Sequence, residues 1–183
     1  MCIRDSDLPP INQYYMYIDP AGEKAKSDFT AITIIGKGAK GFYVAESIVK
    51  ILKAQSIIKT IFNLQKNYKC RLIEIETNGG QFFLKKWLQE KSLESGVFLP
   101  LRGKNNSVSK FERIESLSLA FENEELFLHK SQTMLINQLL EFPEGKNDDA
   151  PDSLAGAFLL ARTKSSIKRR KHHFNSVSRI RRF

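Results

Sequence analysis

Apolar and β-branched residues in the first third of this chain cluster in three short runs that are typical of strands. Segments 14–20, 29–36 and 41–48 have this composition and are predicted to be strands. The linker 36–41 reads Gly-Lys-Gly-Ala-Lys-Gly and joins strand to strand. It lacks the Gly-Lys-Ser/Thr ending of a phosphate loop, so it predicts a hairpin turn. The three strands are therefore expected to form an antiparallel meander.

The pattern changes to helical spacing after this meander. Segment 53–67 carries apolar residues three and four positions apart and predicts an amphipathic helix. A strand over 70–76 follows, in which alternation places Glu74 and Glu76 on the same face. A meander followed by a helix and a further strand indicates an α/β fold with a mixed sheet, in which parallel strands extend the meander and helices flank it.

The rest of the chain is predominantly helical. Helices are predicted over 81–91, 110–122 and 131–141, short strands over 97–101 and 126–128, and a mobile polar loop over 102–109. The first of these helices is expected to bury Phe82, Phe83, Trp87 and Leu88. Ser131 is expected to cap the third through its hydroxyl group.

Segment 147–157 places three carboxylates at the start of an apolar helix. Leu154, Ala155, Phe158 and Leu159 are expected to form the buried face of this helix. One capping aspartate would satisfy the free N–H groups, and Asp148, Asp149 and Asp152 exceed that need. Asp149 and Asp152 are three apart, so they point the same way and repel each other unless a cation lies between them. A divalent metal site and an over-acidic helix cap are both compatible with this segment.

Two other acids end predicted strands. Asp19 ends the first strand and Glu76 the fourth, and open α/β sheets place their ligands at the carboxyl ends of strands. If these strands are neighbours, both acids face one crevice, over which the late helix can dock Asp149 and Asp152. No combination of serine, cysteine and histidine competes as a nucleophilic site, since His129, His172 and His173 lie at a strand edge and in the tail.

Charge is distributed unevenly along the 183 residues, which carry a net charge of +9. From Arg162 onward there are nine Lys or Arg and no Asp or Glu, which leaves 20 basic and 20 acidic residues in the rest. Segment 164–183 is therefore predicted to be a basic tail that is disordered when free and binds a polyanion. Nucleic acid is favoured over membrane because the tail has no amphipathic apolar stripe. A merely solvated tail is the alternative.

Composition indicates a single globular domain in a reducing compartment. The 42% hydrophobic content is that of a soluble protein, and no apolar run approaches the roughly 20 residues of a membrane span. Cys2 and Cys70 are too few and too far apart for a disulfide framework or a cysteine zinc site. Segment 1–10 has no periodicity, and 1–13 is interpreted as a disordered or non-native leader, which leaves 14–163 as the domain.

The order of elements and acids resembles the RNase H-like nuclease superfamily, and within it the C-terminal nuclease domain of phage large terminase subunits. Five segments carry the resemblance: Tyr17-Ile18-Asp19-Pro20-Ala21, Ser27-Asp28-Phe29-Thr30-Ala31-Ile32, Ile73-Glu74-Ile75-Glu76-Thr77-Asn78-Gly79-Gly80, Lys110-Phe111-Glu112-Arg113-Ile114 and Asp148-Asp149-Ala150-Pro151-Asp152-Ser153-Leu154-Ala155. They span about 14–160. The Asp-x-x-Asp motif of the last helix also resembles Holliday-junction resolvases.

The resemblance implies a metal-dependent endonuclease that hydrolyses phosphodiester bonds of concatemeric duplex DNA with two Mg²⁺ or Mn²⁺ ions. It places Asp19, Glu76 and Asp149 as metal ligands, with Asp152 as a fourth ligand or an outer acid. Gly79 and Gly80 would allow the DNA backbone to approach. Candidate phosphate-binding residues are Lys104, Lys110, Arg113, Lys168, Arg169, Arg170 and Lys171. Ion pairs with Glu112 or Glu115 are the alternative for Lys110 and Arg113.

The implied partners are duplex DNA, a terminase ATPase domain, the small terminase subunit and the portal, in the cytoplasm of an infected host cell. A large terminase carries an N-terminal ATPase with a phosphate loop, which this sequence lacks, so the chain is expected to be a fragment without ATPase activity. Two other functions stay open. One is a resolvase- or transposase-type nuclease on the same fold, and the other is a non-catalytic DNA- or protein-docking domain.

Overall fold

A seven-stranded mixed sheet forms the centre of the computed structural model, which describes residues 2–4, 7–20, 29–78 and 82–174, and side chains at 4, 7–20, 29–78 and 83–165. The strands are β1 (Cys2–Arg4), β2 (Gln13–Asp19), β3 (Thr30–Lys37), β4 (Phe42–Lys50), β5 (Leu72–Glu76), β6 (Leu101–Lys104) and β7 (Leu126–His129). The helices are α1 (Ala54–Tyr68), α2 (Phe82–Ser95), α3 (Lys110–Glu122), α4 (Thr133–Glu141) and α5 (Asp149–Phe174).

The sheet has the order β1-β7-β4-β3-β2-β5-β6. The meander β2-β3-β4 is antiparallel, and the Gly38 N–H donates to the Gly41 carbonyl at 3.0 Å in its second turn. Parallel strands extend it on both sides, β5 and β6 next to β2, and β7 and β1 next to β4. The predicted α/β class, an antiparallel meander with parallel strands and flanking helices, is confirmed.

Strand alternation builds two cores, one on each face of the sheet. Met16 and Ile18 face α1 and α2, whereas Tyr15 and Tyr17 face the layer of α3, α4 and α5. The second layer therefore shares its face of β2 with the side chain of Asp19. Among the described residues, no helix combines the length and the apolar character needed to cross a membrane.

An edge strand lies within the segment interpreted as a leader. Cys2–Arg4 pairs in parallel with β7, in the register Cys2 to Phe127 and Arg4 to His129. The Ile11 side chain lies against Gly36 of β3, and the Asn12 N–H donates to the Lys37 carbonyl at 3.0 Å. Without β1, the outer edge of β7 would expose unpaired backbone N–H and C=O groups that any extended segment can pair with. Such pairing needs no side-chain periodicity, so the pattern of the sequence does not predict β1.

Helix α2 buries a different stripe from the one predicted. Leu84 and Leu88 are buried, whereas Phe83 is 56% and Trp87 45% exposed. Both pairs are four residues apart, so each forms an apolar stripe, and spacing alone does not distinguish them. Among the predicted core residues of this helix, Leu88 is confirmed, Phe83 and Trp87 are wrong, and the side chain of Phe82 lies outside the described residues.

The strand predicted over 97–101 lies later in the chain, over Leu101–Lys104. It therefore occupies the start of the segment 102–109 predicted to be a mobile loop. Backbone pairing with β5 decides this, since Ile73 pairs with Leu101 and Glu76 with Lys104. The Arg102 side chain pairs with the buried carboxylate of Glu74. Polar residues occupy β6 because an edge strand tolerates them.

Two helix boundaries also differ from the predictions. Helix α4 begins after Gln132, and Ser131 does not cap it, because its hydroxyl group lies 2.6 Å from His129 Nδ1. In α5, Leu159 is 53% exposed and Leu160 takes the buried position. The backbone of α5 is helical as far as Phe174, which includes the first half of the predicted tail, and 175–183 lie outside the described residues.

Candidate metal centre

Two acids lie at the same edge of the sheet because their strands are parallel neighbours. Asp19 is the last residue of β2 and Glu76 the last of β5. The register pairs Ile18 with Ile75, so the two acids occupy adjacent positions on adjacent strands. This edge, at the carboxyl ends of both strands, is where open α/β sheets place their ligands.

A third acid reaches this edge from helix α5. Asp152 lies in the first turn of α5, and this helix packs on the face of the sheet that carries Tyr17. One carboxylate oxygen from each of Asp19, Glu76 and Asp152 lies within 4.8 Å of the other two. These three residues are called the acidic cluster below.

The pKa of Asp19 is raised where these carboxylates converge. Burial, together with the neighbouring carboxylates of Glu76 and Asp152, raises its pKa from the ordinary 3.8 to about 7. Lys110 acts in the opposite direction without cancelling the effect. A carboxyl group with this pKa is only partly ionised at neutral pH unless a cation compensates its charge. The acidic cluster therefore favours a bound cation.

Both carboxylate oxygens of Glu76 accept hydrogen bonds from neutral donors. The Tyr17 hydroxyl donates to Oε2 at 3.0 Å, and the Asn78 amide donates to Oε1 at 3.0 Å. Tyr17 in turn accepts a hydrogen bond from Asn106 Nδ2 at 2.9 Å. Burial is the main reason why the pKa of Tyr17 is raised, so its hydroxyl stays protonated and remains a donor. These contacts hold the Glu76 side chain in one orientation.

Asp152 is held by a two-point ion pair. Arg113 donates from Nε to Oδ1 at 2.8 Å and from Nη2 to Oδ2 at 2.6 Å, and its Nη1 donates to the Val108 carbonyl at 2.9 Å. Both side chains are largely buried, and this forked geometry gives strong, directional carboxylate pairing. Burial lowers the pKa of Arg113, but the contacts with Asp152 outweigh that effect and raise it overall.

Asp149 lies outside the acidic cluster. Its Oδ1 is 3.2 Å from Lys110 Nζ, which also contacts Asp148 Oδ1 at 2.6 Å. Burial lowers the pKa of Lys110, and its contacts with both aspartates outweigh this and raise it. Of the four acids predicted to form the site, the structure thus brings together Asp19, Glu76 and Asp152, and pairs Asp149 with a lysine.

The candidate phosphate-binding residues have different environments. Lys110 and Arg113 pair with acids of α5 and the residue before it, so the alternative of pairing with Glu112 or Glu115 is wrong. Lys104 ends β6 at the edge that carries the acidic cluster, opposite Glu76 in the register. The other candidates are in the tail, where the side chains of Lys168, Arg169, Arg170 and Lys171 lie outside the described residues, as do Gly79 and Gly80.

Three residues of the site were not identified from the sequence. Tyr17 is two positions before Asp19 on the same face of β2, and Asn78 is two positions after Glu76, so both offered a positional signal. Asn106 lies 30 residues beyond Glu76 in a polar segment, and nothing in its sequence context distinguishes it from Asn105. Only the pairing of β6 with β5 brings Asn106 to the site.

The donor set fits a hard divalent cation. The acidic cluster offers carboxylate oxygens alone, the ligands preferred by Mg²⁺ and Mn²⁺, whereas zinc sites usually include histidine or cysteine. The raised pKa of Asp19 is the response expected of carboxylates that converge without a compensating charge. These residues therefore fit a magnesium or manganese site.

The fold is similar to that of solved viral terminases. The human cytomegalovirus terminase nuclease domain superposes with a TM-score of 0.63 at 15% sequence identity, over 81% of this chain and 82% of that domain. Its manganese-soaked, inhibitor-bound form superposes with a TM-score of 0.60 at 15% identity, over 82% of this chain and 83% of that one.

The large terminase of a thermophilic bacteriophage gives a TM-score of 0.61 at 10% identity, over 86% of this chain and 42% of the phage protein. The chain thus spans less than half of that phage protein. No protein-family model and no curated protein matches the sequence. The similarity establishes that the chain has the fold of these terminase nuclease domains, and it confirms the predicted resemblance at the level of the fold.

Proposed function

We propose that this chain is a divalent-metal-dependent DNA endonuclease domain of the terminase type, which cuts concatemeric viral duplex DNA during packaging. One observation carries the proposal: the carboxylates of Asp19, Glu76 and Asp152 converge within 4.8 Å at the ligand-binding edge of a terminase nuclease fold. A helix cap explains neither Asp19 nor Glu76, since both end strands. This convergence favours an enzyme over a docking domain whose acids only cap a helix.

The acidic cluster would hold two Mg²⁺ or Mn²⁺ ions, with Asp149 nearby as a further ligand or an outer acid. When bound, such ions polarise the scissile phosphate and lower the pKa of water. The protein's own contribution is to orient the ligands. Tyr17 and Asn78 hold Glu76, and Arg113 holds Asp152. The manganese-soaked cytomegalovirus domain supports the choice of metal.

Basic residues near the site and in the tail are proposed to bind the DNA backbone. Lys104 lies at the edge of the acidic cluster, and Lys110 would exchange its aspartate partners for phosphate when metal compensates the acids. Lys168, Arg169, Arg170 and Lys171 would add sequence-independent affinity. By similarity to the phage protein, we propose a terminase ATPase domain as partner, with the small subunit and portal in the cytoplasm of an infected cell.

A plasmid-nicking assay tests the proposed function. The full chain is expected to convert supercoiled plasmid to nicked and linear forms with Mg²⁺ or Mn²⁺, and to lose this activity in EDTA. Asp19→Asn is expected to abolish nicking. Asp7→Asn is the matched control, because Asp7 lies beside Arg4 and His129 at the far edge of the sheet, and it is expected to retain activity.

Substrate preference separates the proposal from its alternatives. Cleavage of linear duplex at least as fast as of a four-way junction supports the terminase type, whereas strong preference for the junction indicates a resolvase. If the full chain binds duplex DNA but neither binds Mn²⁺ nor nicks plasmid, the endonuclease proposal is wrong and a docking domain is the better interpretation.

A further inference from the structure

The Tyr17 hydroxyl is oriented by a residue far away in the sequence. A phenolic oxygen has one proton to donate and can also accept. The Asn106 amide donates to this oxygen at 2.9 Å, and the hydroxyl's other partner among the described residues is Glu76 Oε2 at 3.0 Å. With its acceptor position occupied by Asn106, the hydroxyl directs its proton to the carboxylate. Asn106 thus determines the direction of the hydrogen bond between Tyr17 and Glu76, although it is not a partner in that bond.

The same segment also controls the other oxygen of Glu76. The backbone N–H of Asn106 donates to Asn78 Oδ1 at 3.3 Å, and Asn78 Nδ2 donates to Glu76 Oε1 at 3.0 Å. Asn78 Nδ2 also lies 3.4 Å from the Asn106 carbonyl, so the two asparagines hold each other through side chain and backbone. A single residue therefore links Asn106 to each Glu76 oxygen: Tyr17 links it to Oε2, and Asn78 links it to Oε1.

Burial makes this arrangement effective. Tyr17 is 2% exposed and Glu76 is 9% exposed, so water has little access to replace a lost hydrogen bond.

The segment 105–108 is anchored at both ends. Asn105 Oδ1 accepts from the Thr77 hydroxyl at 2.6 Å, and the Val108 carbonyl accepts from Arg113. Asn106 is therefore held between two anchors rather than free to follow Glu76.

We propose that Asn106 and Tyr17 are positioning residues that orient Glu76 as a metal ligand and thereby set the affinity of the site for Mg²⁺ or Mn²⁺. This inference rests on the proposed function of the acidic cluster. Neither residue contacts the reacting atoms: Tyr17 acts through Glu76, and Asn106 acts through Tyr17. Loss of hydrogen-bonding partners of this kind usually weakens metal binding about 10- to 100-fold.

Calorimetric titration of the full chain with Mn²⁺ tests the inference, at a temperature well below unfolding of every variant. Tyr17→Phe and Asn106→Ala are each expected to weaken Mn²⁺ binding about 10-fold or more. Because Asn106 acts through Tyr17, the double variant is expected to bind Mn²⁺ about as tightly as Tyr17→Phe alone. In plasmid nicking at saturating DNA, both single variants are expected to be slower than the parent chain at low Mn²⁺ and to reach its rate as Mn²⁺ is raised.

Two matched controls separate orientation of Glu76 from general structural effects. Tyr15→Phe removes a hydroxyl from the same face of β2 that donates to Gln13 rather than to the acidic cluster. Asn63→Ala makes the same change as Asn106→Ala at an exposed position of α1, which packs on the other face of the sheet. Both controls are expected to bind Mn²⁺ like the parent chain. Thermal unfolding without metal monitors stability, and a purely structural role would lower the melting temperature while leaving Mn²⁺ affinity unchanged.

The outcomes are distinguishable from failure of the proposed function. If the parent chain neither binds Mn²⁺ nor nicks DNA, the endonuclease proposal fails. If the parent binds and nicks, but Tyr17→Phe and Asn106→Ala bind Mn²⁺ as tightly as it does, the positioning role is refuted while the endonuclease stands. If the fold-losses of Mn²⁺ affinity in the two single variants multiply in the double variant, Asn106 does not act through Tyr17.

Discussion

Gly156 lies so close to the Tyr17 ring that a Cβ at position 156 would be 2.5 Å from two of the ring carbons. This contact sets how near α5 comes to β2. Asp152 is four residues before Gly156, one helical turn away on the same side, so the approach that glycine permits brings Asp152 to Asp19 and Glu76. A small residue in the middle of α5 is thus a condition for the acidic cluster.

Gly156→Ala is expected to destabilise the protein, against the usual effect of this change. Alanine normally stabilises a helix interior by about 1 kcal/mol relative to glycine. Here the added methyl group overlaps a buried ring at 2.5 Å, which places the cost in the upper part of the about 1 to 3 kcal/mol typical of overpacking, so the net effect is a loss of about 1 to 2 kcal/mol. Urea unfolding measures it. Thr163→Ala, at an exposed position of α5, is the control and is expected to be neutral or stabilising.

The stability of the metal-free protein is expected to fall as pH rises from about 4 toward 8. The pKa of Asp19 is about 7 in the fold against the ordinary 3.8, so the folded state binds the proton more tightly. Its contribution is complete below about pH 4 and is lost as pH rises through 7, a change on the order of 4 kcal/mol. Urea unfolding in EDTA across this pH range measures the slope.

Asp19→Asn removes the titrating group and is expected to flatten that pH profile and to raise stability near pH 8. Saturating Mg²⁺ is expected to flatten the profile of the parent chain as well, because the cation takes the place of the proton. Profiles of parent and variant that run parallel in EDTA would assign the pH dependence to other groups.

Asp152 and Asp149 are expected to differ in their effect on metal binding. Asp152 belongs to the acidic cluster, whereas Asp149 pairs with Lys110. Asp152→Asn is therefore expected to weaken Mn²⁺ binding by more than about 100-fold and Asp149→Asn by about 10-fold or less. Calorimetry on the two variants, which make the same chemical change three residues apart, measures this difference. The reverse order would assign the direct ligand role to Asp149.

Arg113→Met is expected to destabilise the metal-free protein by about 3 kcal/mol or more, because it leaves the buried charge of Asp152 without its partner. Added Mn²⁺ is expected to recover part of this loss, since the ion compensates the same carboxylate. Arg102→Met is the control: it removes the partner of buried Glu74, which is not a member of the acidic cluster, so Mn²⁺ should not relieve its effect. Equal relief of both variants would contradict a specific role at the metal site.

Replacing Lys168, Arg169, Arg170 and Lys171 with glutamine is expected to weaken duplex binding and reduce its salt dependence. Each lost phosphate contact lowers the log–log slope by about 0.9, so the expected change is up to about 3.6. Metal-dependent nicking should persist at low salt. The control replaces four exposed body lysines, Lys59, Lys66, Lys86 and Lys91. Unchanged slopes in the tail variant, with loss of a protein partner instead, would favour the docking role.

Local sequence was sufficient wherever one stripe or one alternation dominates. Helix α3 spans the predicted 110–122, because a Ser109–Glu112 capping box starts it and Ile114, Leu117 and Phe121 form a single buried stripe. The meander β2-β3-β4 likewise agrees with its prediction, since each strand is a dense run of β-branched and aromatic residues separated by clear turns. The positions of Asp19 and Glu76 at strand ends follow directly from these elements.

The tertiary structure decided what depends on partners distant in sequence. In α2, two apolar stripes compete, and contact with the sheet selects Leu84 and Leu88. At the site, Asp149 and Asp152 are chemically equivalent in the sequence. The approach of α5 to β2 and the ion pairs from α3 place only Asp152 with the strand acids. Periodicity states which residues share a face, but the neighbour of that face is set by pairing and packing across the whole chain.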